Sequence, residues 1–139
     1  MGLYQTFKTD NQLERDGVIL SYGVNSKGKP IEIRIARAGG SNMKFAKRME
    51  AAVKPYKRQI QNEVMDNEQA LAITRQVFAE TVVLGWENVE DENGDELPFS
   101  PEACVKLFED LPDLFADVQE QSQRIALFRQ ELREDASKN

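Results

Sequence analysis

Apolar and polar positions change rhythm along the chain. Between Gly17 and Ala38 they alternate. Val18, Leu20 and Tyr22 are interleaved with Ile19 and Ser21, and Ile31, Ile33 and Ile35 with Glu32 and Arg34. Period-two alternation rich in β-branched residues is the signature of a strand with one buried face. The NSKGK segment between the runs has the glycine that a tight reversal needs. The pattern predicts a β-hairpin with strands near 17–23 and 31–37. A hairpin alone is marginal in water, so helices must cover its apolar face.

Beyond Gly39 the rhythm becomes helical. Phe45, Met49, Val53, Tyr56, Ile60 and Val64 recur every three or four residues, which lines them along one helical face. Ser41 or Asn42 is placed to cap that helix, and Pro55 predicts a kink or a closely abutted second helix. Asp66 or Asn67 is placed to cap a further helix running to Gly85-Trp86. Ala70, Ile73, Val77, Thr81 and Leu84 form one of its faces, and Leu71, Phe78 and Val82 widen it. So broad an apolar face predicts the central helix of the core. Ser100-Pro101 is a strong helix start, and Pro112 breaks that helix after ACVKLFEDL, with Asp110 placed to cap the next. A last helix presents Leu111, Phe115, Val118, Ile125, Phe128 and Leu132, thinning at Gln121 and Ser122. The polar first sixteen residues predict an irregular arm or a short edge strand.

These elements add up to an α+β fold, an N-terminal β-hairpin packed on a bundle of about four to five helices. A single domain over 1–139 is expected: an arm at 1–16, the hairpin at 17–38, and a helical part at 43–134 with an acidic turn at 87–99. A chain of 139 residues is long enough to hold a core of its own.

Composition removes several kinds of chemistry. There is no histidine and one cysteine, Cys104. The commonest general base, the commonest zinc ligand and an internal disulfide framework are absent together. Cys104 sits on an apolar helical face and reads as a small buried hydrophobe. No enzymatic activity and no cofactor are expected. No apolar run approaches membrane-spanning length, and MGLYQTFKTD lacks the layout of a secretion signal, so a cytoplasmic protein is expected. Charge is polarised. Residues 1–66 hold twelve Lys or Arg and seven Asp or Glu, a net of +5, and residues 67–139 hold six and seventeen, a net of −11. Opposite ends of this kind predict either halves that face each other within the fold or self-association, one copy's basic end meeting another's acidic end.

Three segments invite a binding reading. WENVEDENGDELPF, 86–99, places Asp91, Asn93 and Asp95 at calcium-loop positions, with Glu102 beyond it at the twelfth. Glu96 stands where such a loop needs glycine, and Asn93-Gly94 is a strong turn dipeptide, so a connector between elements is favoured. ARAGGSN resembles an anion-binding helix entry with Arg37 close by, but matches no phosphate-loop spacing. Lys44, Lys47, Arg48, Lys54, Lys57 and Arg58 make a basic helical face around Tyr56. On an acidic chain a solvated face or a protein-facing one is favoured over nucleic acid.

The order of these motifs carries a resemblance. The hairpin is followed by ARAGGSN, KPYKRQIQ, ETVVLGWENV, an acidic Asn-Gly turn, LPFSPEACVKLFEDLPDLF and QEQSQRIALFR. From about Gly17 to Arg129 this resembles the tail assembly chaperones of long-tailed bacteriophages and related prophages, most specifically over Glu80 to Phe115. The resemblance implies a non-catalytic protein of the host cytoplasm that binds the tape-measure protein and helps recruit tail-tube subunits. Trp86, Phe99, Phe115, Val118, Ile125 and Phe128 are the candidate partner-binding residues, with core filling as their alternative role. A virion structural protein of a head–tail or tail complex, and a small nucleic-acid-binding module using the Lys44–Arg58 face, are the competing readings.

Overall fold

In the computed structural model, which describes residues 2–129, a three-stranded antiparallel sheet is covered on one face by helices. Two short helices come first, α1 (Leu3–Phe7) and α2 (Asn11–Asp16), followed by β1 (Val18–Val24) and β2 (Pro30–Ile35). Then come α3 (Met43–Val53), α4 (Lys57–Gln61), α5 (Asn67–Thr81), β3 (Val83–Glu87), α6 (Pro101–Asp110) and α7 (Pro112–Gln121). Short 3-10 turns lie at Lys54–Tyr56 and Ile125–Phe128. The strand order is β1-β2-β3, so the mixed α+β architecture with an N-terminal hairpin is present and gains a strand.

The hairpin pairs Val18 with Ile35 and Leu20 with Ile33. The residues of its apolar rhythm therefore sit opposite one another on the covered face. Leu20, Ile33 and Ile35 join Phe78, Val82, Cys104, Phe108, Phe115 and Val118 in one buried cluster. Aromatic rings link the helices that cover it. Phe78 meets Phe45 of α3 and Phe115 of α7 edge-on, each at 5.6 Å between ring centroids, and Phe108 of α6 tilts against Phe115 at 4.7 Å.

The third strand corrects the expectation that the central helix runs to Trp86. α5 stops at Thr81, whose hydroxyl turns back to donate to the Val77 carbonyl at 2.7 Å. TVVLGW is β-branched and follows a long helix, so its local preference is divided. The open edge of β2 decides it, because pairing Ile33 with Trp86 and Ile35 with Val83 satisfies backbone groups on both strands. A register shift between Arg34 and Ile35 leaves Leu84 as the extra residue.

Three other expectations change. The first sixteen residues contain α1 and α2 in place of an arm or edge strand, because Asp10 caps α2 by accepting from the Gln12 and Leu13 amides at 2.8 and 3.2 Å. Neither candidate cap of α3 uses its side chain as one, Asp66 makes no side-chain cap bond to α5, and Asp110 pairs with Lys106 while Leu111 takes the cap position of α7. Asn42 is buried and instead donates to the carbonyls of Arg37 and Thr81. The helix beginning at Pro112 ends at Gln121, where the apolar stripe thins. Ser122 is fully buried and its hydroxyl donates to the Gln119 carbonyl. The expected continuation through Leu132 lies partly outside the described residues. By contrast, the Pro55 interruption falls where expected, as a 3-10 turn between α3 and α4. Ser100 caps α6 by accepting from the Ala103 amide at 3.0 Å.

Phe78 touches rings from two other helices and is 2% exposed. Truncating it empties the centre of the packing. Phe78→Ala is expected to cost about 3–5 kcal/mol, measured by urea unfolding followed through Trp86 fluorescence.

Candidate functional site

Of the residues the sequence offered for partner binding, Phe115, Val118 and Phe128 are 4%, 0% and 0% exposed. They fill the core and present no surface. The stripe that named them is the buried stripe of α7 continued into the Ile125–Phe128 turn. Ile125 is half-buried. Trp86 and Phe99 are also half-buried and close against each other edge-on at 4.9 Å, and the indole N–H donates to the Leu97 carbonyl at 2.7 Å. Together they fasten the two ends of the acidic connector to the fold.

The connector is a tight reversal. The Gly94 amide donates to the Asp91 carbonyl at 3.0 Å, Gly94 has φ +82°, and the Leu97 amide donates to the Val89 carbonyl at 2.8 Å. Glycine is required at that left-handed position. The Asp91 carboxylate, which a calcium loop would use first, accepts from the amides of Asn93 and Asp95 at 2.9 and 3.0 Å. Glu90 reaches the hairpin turn, accepting from the Ser26 amide and hydroxyl at 2.7 and 2.6 Å. These two bonds hold its carboxyl below the usual range. Among the described residues no three acidic or sulfur side chains are gathered as a metal site.

The ARAGGSN segment does cradle an anion, and that anion belongs to the chain. Glu14 of α2 is 1% exposed. Its Oε1 accepts from the Ser41 hydroxyl and amide at 2.9 and 3.2 Å, and its Oε2 accepts from the Arg37 guanidinium. Gly40 has φ +55°, and a Cβ there would collide with the carboxylate. Burial pushes the Glu14 carboxyl up, but the bonds from Arg37 and Ser41 outweigh it and hold it below its ordinary value. Sequence spacing found the cradle. Nothing in the polar first sixteen residues marked Glu14 as its occupant.

Two other ionisable groups are perturbed, one buried and one half-buried. Burial pushes the Cys104 thiol up to about 12, so it stays protonated near neutral pH and is a poor nucleophile. Tyr22 donates to Asp117 at 2.7 Å, and burial together with that carboxylate raises its pKa.

The basic residues lie where the helical pattern put them. Lys44, Lys47, Lys54, Lys57 and Arg58 are exposed, while Arg48 is half-buried and bonds Glu80 of α5. Lys54, Lys57 and Glu50 flank a cleft with Val53 and Ile60 at the bend between α3 and α4. α4 packs chiefly on the 3-10 turn before it, and Ile60 and Val64 are left 43% and 68% exposed.

Two further surfaces were not marked in the sequence. On the open side of the sheet, Ile19, Arg34 and Leu84 line a cleft of about 430 Å³, with Glu32 and Glu87 beside it. Leu84 was assigned to a helical core face, and the strand register turns it outward to 40% exposure. A larger groove of about 570 Å³ runs between the acidic turn and α6, with Leu97, Leu107 and Leu111 along it. Leu111 is 49% exposed. The Leu-Pro break that ends α6 was the available signal, since it puts a leucine outside both helices.

Replacing Glu14 tests the internal cradle. A carboxyl with a depressed folded pKa adds stability above its unfolded value and loses it as pH falls through the folded one. Glu14→Gln is expected to cost about 2 kcal/mol at pH 7. The difference from the parent should shrink below the ordinary Glu value of 4.5, as read by thermal melts at stepped pH.

A family model described as "YdaY prophage protein" matches residues 40–139. No curated protein and no solved structure matches the chain.

Proposed function

Because the chain belongs to the YdaY prophage protein family, we propose that it is a non-enzymatic tail assembly chaperone acting in the host cytoplasm, binding the tape-measure protein and helping to recruit tail-tube subunits. The motif order from Gly17 to Arg129 supports this reading within the broader prophage membership. The observation that carries it is the open face of the sheet. Ile19 is 44% and Leu84 40% exposed, side by side in one cleft, and Glu32, Arg34 and Glu87 rim it with both signs of charge.

An apolar patch with a mixed polar rim is what a holding protein for a long, aggregation-prone helical partner requires. The apolar centre covers exposed hydrophobic segments. The rim keeps the free chaperone in solution and sets the orientation of the partner. Nothing in this role calls for a proton relay or a nucleophile, and the buried, protonated Cys104 thiol is consistent with a binding protein. No helix among the described residues is long and apolar enough to cross a membrane.

Co-expression with the tape-measure protein of the same prophage tests the reading. The chain is expected to keep that partner soluble and to co-purify with it. Leu84→Asp and Ile19→Asp should each weaken capture by at least about tenfold, roughly 1.4 kcal/mol, while leaving the fold intact by circular dichroism. Mature particles carrying the chain at fixed stoichiometry would instead support a virion structural protein.

A further inference from the structure

We propose that two copies of the chain dock head to tail, the α3–α4 bend of one inserting into the acid-rimmed groove beside α6 of the next. Each surface is incomplete in a single copy. At the bend, Ile60 and Val64 are exposed, and Lys54, Lys57 and Arg58 make no ion pair among the described residues. In the groove, Leu107 and Leu111 lie between Glu90, Asp91, Glu92 and Asp110. The one cation there, Lys106, is already paired to Asp110 at 3.2 Å. The groove therefore keeps a surplus of negative charge over an apolar floor. The bend carries apolar side chains beside Lys54, Lys57 and Arg58, with Glu50 the acid lining the same cleft, so its charge is positive on balance.

Complementarity selects the arrangement. Bend against bend would bring lysines together, and groove against groove would bring carboxylates together. A two-fold contact through either surface alone therefore costs charge repulsion. Bend into groove pairs opposite charges and removes exposed apolar area from water on both sides. The two surfaces share no residue, so a copy engaged through its bend still offers its groove. Such a contact is heterologous and extends until it closes into a ring or forms a filament. It requires no other phage protein, so it stands or falls independently of the chaperone reading.

Sedimentation velocity of the full chain tests it. The wild type is expected to associate at low ionic strength, about 0.05 M, and to dissociate at about 0.5 M, where exposed charges are largely screened. Lys54→Glu with Lys57→Glu alters only the bend, and Glu92→Lys with Asp110→Asn alters only the groove. Each variant alone is expected to associate at least tenfold more weakly. An equimolar mixture should recover a heterodimer, because one partner retains a native groove and the other a native bend. A wild type that stays monomeric at low salt and high concentration would overturn the proposal. So would variants that associate as well as the wild type, or a mixture that stays monomeric.

Discussion

Everything in this fold leans on Phe78. Its ring meets Phe45 on one side and Phe115 on the other, and Phe115 in turn meets Phe108. One side chain thus brings α3, α5 and α7 into register, with α6 one ring further on. The sheet supplies Leu20, Ile33 and Ile35 beneath the same cluster. Edge-on aromatic contacts are directional, so the chain of rings fixes angles between helices as well as distances. A core of aliphatic residues alone would leave those angles looser.

Once the ring chain is set, the second constraint is the open edge of the hairpin. β3 pairs with β2 directly after α5, so the central helix and the sheet are joined by a single residue, Val82. That tight junction delivers Trp86 to Phe99 and the acidic connector to the hairpin turn, where Ser26 meets Glu90. The groove beside α6 is a by-product of this geometry. The connector stands off from the helix because its two ends are tied elsewhere.

Much of this was legible from residue order. Alternation at Val18–Ile35 and helical spacing at Phe45–Tyr56 each reflect a local periodicity that one buried face imposes. So does the Ser100-Pro101 start, a chemical signal confined to a few residues. What escaped depends on partners distant in sequence. Val83–Glu87 became a strand because β2 had an unpaired edge, which no local window contains. For Phe115, Val118 and Phe128 spacing favours a core stripe over a surface one without deciding it, and the position of Phe78 and its neighbours separates the two. The anion cradle at Arg37–Ser41 was visible as a shape, but its occupant lies more than twenty residues earlier in a segment with no apolar pattern. Exposure of Leu84 and Leu111 likewise follows from a register shift and a helix break, which spacing alone does not orient.

The Asp10 amide donates to the Phe128 carbonyl at 2.7 Å, and Thr9 bridges to Arg129. The first helices are thereby tied to the last described turn. During synthesis the hairpin and α3 emerge long before that turn exists. Until it leaves the ribosome, α2 has Arg37 and Ser41 to hold Glu14 but no Phe128 carbonyl to receive Asp10. Closure over so long a sequence separation slows folding relative to a fold built from neighbours.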